Sequence, residues 1–321
     1  MLQPRFLLLA LSTGLTGAGT QAASIQDYPS KRIRLMTAQV GGNQDFGARL
    51  IAQEISPALG QQVIVENRSG GTLGGEIVAK APPDGHTLLY SGTIFWTLPL
   101  MRKHPPYDVP RDFAPITTAT EAPLLLVVHP SLPVKSVNEL IGLAKARPGE
   151  LNYATGGPGS ANHLAVELFK SLAGVNITTI QYRGSGGGVI GLMGGEVQMM
   201  ITSPGSVAPH LKSGRLRAIA VTSSKPTALA PGLPTVAAAG VPGYEAVQRA
   251  GMFAPAQTPI AIIDRLNREV VRALNQPDVK EKFFGEGAET IGSSPEALAA
   301  LVRSEIIRMG KVIQEAGIVA E

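Results

Sequence analysis

The stretch LNYATGGPGSANHL, residues 151 to 164, is the part of the sequence that best indicates the fold. A short apolar strand breaks there into a loop rich in glycine, proline and serine, and a helix follows. The first N–H groups of a helix lack partners and carry the positive end of the helix dipole, so such a loop can bind an anion. An ordinary strand-to-helix connection with a good cap explains the same pattern. The loop alone does not decide between these two interpretations.

A second unit of the same kind lies near the start of the chain. The strand predicted from Ile33 to Ala38 runs into VGGNQD at 40–45 and then into a helix with apolar residues at three-to-five spacing. Asp45 is the predicted N-cap of that helix. From Ile33 onward, short apolar runs alternate with amphipathic helical segments, which is typical of an α/β protein with a mainly parallel sheet. The pattern restarts at Leu124.

Composition excludes several classes of function. The chain has 321 residues, a formal charge of +4 and no cysteine, which rules out thiol catalysis, disulfides and cysteine metal sites. Its Lys and Arg residues are scattered, whereas nucleic-acid binding needs a concentrated basic face. Residues 1–23 have a basic start, an apolar run of about ten residues and a small-residue end, which predicts a cleaved secretory signal and a periplasmic protein.

Catalytic and metal-binding patterns are missing from the sequence. The five histidines have no metal-ligand spacing, and neither a GxSxG elbow nor a P-loop occurs. Gly186, Gly188 and Gly191 form a GxGxxG pattern, but the acidic residue that would hold a ribose is absent about 20 positions later. Two residues each allow two interpretations. The side chain of His163 either faces a ligand or forms a hydrogen bond with the backbone, and Trp96 either stacks on a flat ligand or packs under its own loop.

The order of many short motifs resembles the Bug family, the periplasmic solute-binding proteins of tripartite tricarboxylate transporters. The resemblance covers about residues 25 to 317. The motifs that carry it are YPSKRIRL (28–35), GGNQDFGARL (41–50), VIVENRSGG (63–71), AKAPPDGHTLL (79–89), LNYATGGPGSANHL (151–164), IQYRG (180–184), LMGGEV (192–197), PHLKSGRLRAIAVTS (209–223) and LPTVAAAGVPGYE (233–245).

The resemblance implies an α/β protein with a type II periplasmic-binding-protein fold, in which two α/β domains joined by a two-segment hinge close on a ligand cleft. The implied organisation is a signal peptide at 1–23, a first domain formed by 24–124 and 248–321, and a second domain at 125–247. The strand at 124–129 and the segment near 243–253 are the expected crossings.

The resemblance also implies that the two glycine loops grip a ligand carboxylate, largely through backbone groups. The family roles carry over to Gly41, Gly42 and Asp45 on one side and to Thr155, Gly159, Ser160 and His163 on the other. Further candidates lie in the same loops or at strand and helix ends: Gln39, Val40, Asn43, Ser91, Thr93, Gly156, Asn162, Gly184 and Ser203.

Departures from the family pattern bear on the ligand. Members commonly have an aspartate where this chain has Gly191, and an acidic group there can meet the ammonium of an amino acid. Gln198 and Thr202-Ser203 also stand where acidic residues are common. Because an unpaired buried ammonium is costly, the sequence predicts a ligand without one.

The sequence therefore predicts a non-enzymatic, monomeric periplasmic protein. It is expected to capture a small organic carboxylate, an amine-free dicarboxylate with an aliphatic or aromatic body, and to deliver it to the membrane subunits of a tripartite tricarboxylate-type transporter. No cofactor, metal ion or nucleic acid is expected. Two alternatives stay open: an exported α/β enzyme, and a ligand-binding co-sensor for a two-component receptor.

Overall fold

The computed structural model describes residues 28–69 and 72–319, which form two β-sheets flanked by helices. The predicted signal peptide, residues 1–23, lies outside the described residues. Within these ranges, no helix has the length and apolar character needed to cross a membrane. The α/β class expected from the alternating pattern is confirmed. The expectation of a mainly parallel sheet is wrong, because four of the strand pairs in these ranges are parallel and five are antiparallel.

The first sheet has six strands and, with the helices that cover it, is called the first lobe. Its strands are β1 (Ile33–Thr37), β2 (Val63–Asn67), β3 (Thr87–Gly92), β4 (Phe113–Pro123), β10 (Val247–Pro255) and β11 (Glu289–Thr290). They lie in the order β11-β4-β10-β3-β1-β2. Strands β1, β2 and β3 are parallel, whereas β10 is antiparallel to both β3 and β4.

The first lobe carries seven of the helices found in the described residues. They are α1 (Asn43–Leu59), α2 (Leu73–Ala79), α3 (Ile94–Thr97), α4 (Val109–Asp112), α9 (Ile260–Leu274), α10 (Pro277–Gly285) and α11 (Pro295–Glu315), with a 3-10 turn at Leu98–Met101. Helix α9 follows its N-cap Pro259, and α11 begins at Pro295 after its N-cap Ser294.

The second sheet has five strands and forms the second lobe. The strands are β5 (Leu125–Val128), β6 (Asn152–Thr155), β7 (Thr178–Gln181), β8 (Met199–Thr202) and β9 (Arg217–Val221), in the order β7-β6-β8-β5-β9. The helices are α5 (Val137–Ala146), α6 (Ala161–Ala173), α7 (Gly184–Met193) and α8 (Pro204–Lys212).

The two lobes repeat one topology. In the first, β1 lies between β2 and β3, and in the second, β6 lies between β7 and β8, with parallel pairing in both cases. Each central strand leads into a glycine loop and a helix, α1 or α6. The two strand, loop and helix units recognised in the sequence therefore occupy equivalent places in their lobes, with each strand second from one edge of its sheet. Strand ends and helix starts come together there.

Two segments connect the lobes. The chain leaves the first lobe at Leu124, between β4 and β5, and returns at Ala246, just before β10. The side chain of Thr222, at the end of β9, accepts a hydrogen bond from the N–H of Leu124 (2.8 Å), and the Thr222 carbonyl accepts one from Ala246 (3.0 Å). The first crossing was expected along residues 124–129. In the structure, the strand in this range is β5 (Leu125–Val128), which lies wholly within the second sheet. Strand β4, which the sequence analysis missed, leads up to it.

Helix α11 contacts both lobes. Leu298 and Val302, in its first half, pack in an apolar cluster of the first lobe, whereas Met309, Val312 and Ile313 pack in the core cluster of the second lobe. The expected assignment of 248–321 to the first domain and of 125–247 to the second stays a prediction. The packing shows that the end of α11 is shared.

A buried ion cluster holds the crossing strands and α11 together. The guanidinium of Arg249, on β10, lies 2.6 Å from Glu121 of β4 and 2.7 Å from Glu245, which precedes β10. Glu305 of α11 lies 3.7 Å from the same guanidinium and 2.5 Å from Arg308. Arg249 is only 5% exposed. The positive charge of Arg249 is balanced by carboxylates from β4, from the segment before β10 and from α11.

We expect Arg249→Met to lower the free energy of unfolding by about 3–5 kcal/mol, because it leaves carboxylates near a buried site without their partner. Urea denaturation at pH 7 measures this. Arg215→Met, at an exposed position, is the matched control and should change stability by about 0.5 kcal/mol or less. Equal effects of the two substitutions would show that the cluster contributes nothing to stability.

Candidate functional site

A cavity of about 370 Å³ opens at the edge of the first sheet where its parallel strands end. Its walls come from the loop before α1, the first turn of α1, the end of β3, the start of β10 and the end of α10. The second lobe contributes Ala161, the first residue of α6. The cavity therefore lies where the N-termini of α1 and α6 approach one another.

The loop before α1 is fixed by Asp45. The sequence analysis predicted Asp45 as the N-cap, but α1 begins at Asn43 with Gly42 as its N-cap, so this prediction was wrong. Asp45 is the third helical residue, and its Oδ2 accepts a hydrogen bond from the N–H of Gly41 (2.9 Å). Its Oδ1 accepts one from Asn67 (2.8 Å) and pairs with Arg49 (2.9 Å). The carboxylate therefore holds the loop and does not line the cavity.

These contacts determine the pKa of Asp45. Burial alone would raise the pKa of this carboxyl group, but the hydrogen bonds from Gly41 and Asn67 and the charge of Arg49 outweigh burial and hold the pKa below its usual value of 3.8. Asp45 is thus ionised throughout the neutral range.

Backbone donors are available at both helix starts. Within the described part of the chain, the N–H groups of Asn43 and Gln44 have no hydrogen-bond partner, and the same holds for Ala161 at the start of α6. All three residues line the cavity. Because the first N–H groups of a helix point along its axis, they can bind an anion placed between the two helix ends.

The loop before α6 is organised by its own side chains. Ser160 is the N-cap of α6, and its Oγ accepts a hydrogen bond from the N–H of His163 (3.4 Å). Thr155, at the end of β6, lies 3.1 Å from Ser160 Oγ and is fully buried. Gly159 has a φ of 69°, and a Cβ there would overlap the sulfur of Met101 from the first lobe. The loop thus makes a direct contact with the other lobe.

His163 bonds to backbone. Its Nδ1 accepts a hydrogen bond from the N–H of Gly159 (3.0 Å), and its Nε2 lies 3.9 Å from Glu167. Burial lowers the pKa of His163 below its usual 6.5, against the opposing effect of Glu167, so the imidazole is neutral at pH 7. Of the two interpretations that the sequence left open, this geometry agrees with the second.

The other second-lobe candidates lie in the loops and helix starts of the second lobe. Asn162 donates a hydrogen bond to the carbonyl of Ile201 (2.6 Å). Gly156 lies against the start of α7, because a Cβ on it would come within 3.3 Å of the backbone of Gly184. Ser203 precedes α8, and its hydroxyl lies 2.7 Å from that of Ser206. None of these residues lines the cavity.

Among the predicted site residues, the structure places Gln39, Gly42, Asn43 and Thr93 on the cavity wall. Val40 is at the loop surface, 72% exposed, and Ser91 is buried within β3. The cavity wall also includes residues that were not predicted, namely Gln44, Ala161, Gln248, Phe283 of α10 and its C-cap Glu286. Ala161 could have been found by counting the free N–H groups that follow the N-cap Ser160. The α10 residues could not, because helix α10 itself was not predicted from the sequence.

Three features singled out in the sequence lie outside the cavity. Trp96 is buried against Phe95 and Phe253. The GxGxxG pattern lies inside helix α7, where it forms no loop. Gly191, in the same helix, lies under the ring of Tyr182, and a Cβ there would overlap the Tyr182 hydroxyl. Packing against Tyr182 thus accounts for the glycine at position 191. The ligand without an amine, which was inferred from this glycine, stays a prediction.

Metal ligation has no candidate cluster in this part of the protein. Among residues 28–69 and 72–319, no group of three His, Asp or Glu side chains is arranged to hold a metal ion.

The chain is similar to proteins of known family. Residues 47–318 match the family model described as the tripartite tricarboxylate transporter family receptor. Protein BugT of Bordetella pertussis is 36% identical over 318 residues, which is 97% of this chain and 97% of BugT.

Two solved structures from Rhodopseudomonas palustris overlap nearly the whole chain. Rpa4515 with adipate is 38% identical, with a TM-score of 0.73 over 91% of this chain and 99% of that one. MatC with bound malate is 32% identical, with a TM-score of 0.71 over 89% of this chain and all of that one. These overlaps confirm the predicted fold of two α/β lobes with a cleft between them.

We expect Asp45→Asn to lower the free energy of unfolding by about 1–3 kcal/mol at pH 7, because a charged acceptor of three contacts is lost. The pKa of Asp45 is lower in the folded state, so its contribution is full above about pH 5 and disappears as the pH falls through the folded-state value. The difference between wild type and variant should therefore shrink below pH 3.8.

Urea denaturation across this pH range measures the difference. Asp264→Asn, at an exposed position on α9, is the control and should behave as wild type. A difference between Asp45→Asn and wild type that does not change with pH would contradict the assigned role of the carboxylate.

Proposed function

Since the chain belongs to the tripartite tricarboxylate transporter receptor family and has the fold of a periplasmic solute-binding protein, we propose that it captures a small organic carboxylate and delivers it to a transporter. The partners in this proposal are the membrane subunits of a tripartite tricarboxylate-type transporter. The protein acts as a monomer that binds without turnover, and residues 1–23 direct it to the periplasm.

The observation that supports this proposal best is the meeting of two helix N-termini at one cavity. The N–H groups of Asn43, Gln44 and Ala161 can surround the oxygens of a carboxylate, and helix dipoles favour a negative charge there. The cationic side chain at the wall, Arg249, already has its charge satisfied by three carboxylates. Recognition by neutral backbone donors distinguishes this site from an arginine clamp.

Relatives support the chemical class of the ligand. Two similar structures hold adipate and malate, both of which are dicarboxylates without an amine. The ligand proposed here is likewise an amine-free carboxylate, as the sequence predicted from Gly191. Domain closure about the crossings at Leu124 and Ala246 would bring the two glycine loops onto it. The domain boundaries predicted from the sequence belong to this proposal. Of the predicted site residues, the proposal places Gln39, Gly42, Asn43 and Thr93 at the ligand, because they line the cavity.

A thermal-shift screen tests the function, because a ligand that binds only the native state raises the melting temperature. We expect carboxylates without an amine to raise it by several degrees and amino acids to leave it unchanged. Ligand recovered after long incubation should be chemically unaltered. Stabilisation by amino acids alone, or conversion of the bound compound, would overturn the proposal.

Ala161→Pro tests the backbone donors directly. Proline removes the N–H at the first position of α6, where a helix accepts it, and Ser160 already has the extended conformation that precedes proline, with φ −62° and ψ 155°. We expect affinity for the carboxylate to fall about tenfold or more, because a charge-assisted hydrogen bond is lost. Titration calorimetry measures the affinity.

The matched control is Ile260→Pro, which places proline at the first position of α9, with an exposed side chain outside the cavity. Both variants should keep the wild-type melting temperature without ligand. Equal affinity of Ala161→Pro and wild type would show that Ala161 N–H does not hold the ligand.

A further inference from the structure

The cavity continues beyond the two helix starts. It extends along the first turn of α1 to α10, where its wall is formed by Phe46, Tyr90, Phe283 and Ala288. The rings of Phe46 and Phe283 meet edge to face, with centroids 5.8 Å apart and an interplanar angle of 89°. We call this part of the cavity the α10 end. Its wall is aromatic and aliphatic, whereas the part near α6 presents backbone N–H groups.

Among the described residues that line it, the α10 end presents no cationic side chain to a second anionic group. The charged residue that it presents to the cavity is Glu286, an exposed carboxylate at the end of α10. Burial raises the pKa of Tyr90 to about 12, so its hydroxyl is neutral. A carboxylate placed near Glu286 would meet a like charge without a compensating cation. The chemistry of this end thus fits an uncharged group.

The size of the cavity supports the same conclusion. Its volume of about 370 Å³ is more than twice the roughly 150 Å³ of an engineered apolar cavity that binds benzene. A short, highly polar acid would leave the α10 end filled by water against apolar walls. A ligand with a ring or alkyl chain would displace that water, and each buried methylene should tighten binding about fourfold.

We propose that the ligand is a carboxylate with an apolar body, and that the ring or alkyl chain of this body lies in the α10 end of the cavity. The inference rests on the proposed function and narrows its ligand class. The carboxylate lies at the N-termini of α1 and α6, and the body extends between Phe46 and Ala288. A second carboxylate is not required for recognition.

Titration calorimetry of the purified protein with defined acids tests this inference. The probes are phenylacetate for a ring, hexanoate for a chain, adipate for a chain with a second acid, and succinate and malate for short polar acids. We expect phenylacetate or hexanoate to bind at least tenfold more tightly than succinate and malate, and adipate to bind no more tightly than hexanoate.

The two proposals fail in different ways. If no carboxylate binds, the proposed function itself is wrong. If succinate or malate binds as tightly as phenylacetate and hexanoate, or if adipate exceeds hexanoate, carboxylate binding stands and the assignment of an apolar body is overturned.

Ala288→Leu locates the body within the cavity. Ala288 is half-buried in the turn between α10 and β11, and a larger side chain there should fill the α10 end. We expect the affinity for the better of phenylacetate and hexanoate to fall at least tenfold, while that for succinate changes less than threefold. Ala146→Leu, at an exposed position on α5, is the control and should match wild type for every probe.

Phe46→Leu is the second variant in case Ala288→Leu does not fold. Phe46 is half-buried on α1, and its replacement removes a ring from the wall while keeping an apolar side chain. Loss of phenylacetate binding with retention of hexanoate binding assigns a ring to the α10 end. A larger loss for hexanoate assigns a chain. Equal losses for all probes, succinate included, in either variant would overturn the inference.

Discussion

The antiparallel pairing of β4 with β10 is the constraint on which the rest of the structure depends. These strands carry the chain out of the first lobe and back into it, and they pair from Pro123 opposite Val247 to Phe113 opposite Pro255. Arg249 joins this pair to α11 through the carboxylates of Glu121 and Glu305, and Thr222 joins both crossings on the side of the second lobe. The cavity lies beside this junction, so its walls are positioned by the connection between the lobes.

Much of this architecture could be predicted because parallel sheets leave a clear sequence signal. The strands beginning at Ile33 and Asn152 are short, and each precedes a glycine loop and an amphipathic helix, so their equivalence was visible before the structure. Strand β4 was missed because FAPITTATEAP is rich in threonine and contains two prolines. Its strand conformation depends on β10, a partner more than a hundred residues away, which no local pattern reveals.

Only part of the candidate site could be predicted from the sequence. Gly42, in the glycine loop identified from the sequence, was found on the cavity wall as the N-cap of α1. Two of the polar candidates, Asp45 and His163, accept hydrogen bonds from Gly41 and Gly159 of their own loops. Their roles at a ligand stay predictions. Sequence shows which residues can form hydrogen bonds, whereas the choice between a ligand and the neighbouring backbone depends on tertiary geometry. The residues that do face the cavity include alanines, which carry no chemical signal.

The meeting of α1 and α6 at one cavity has a consequence for how the lobes associate. Each helix start carries a partial positive charge of about half an elementary charge, so the two lobes present like poles to each other across the cavity. Without a ligand these poles repel, and water must screen them. A bound anion reverses the sign of this interaction, since each pole then attracts the same negative charge. In the proposed function, a carboxylate between the two helix starts would act as the counterion that favours closure of the lobes, and closure would be coupled to the charge of what is bound.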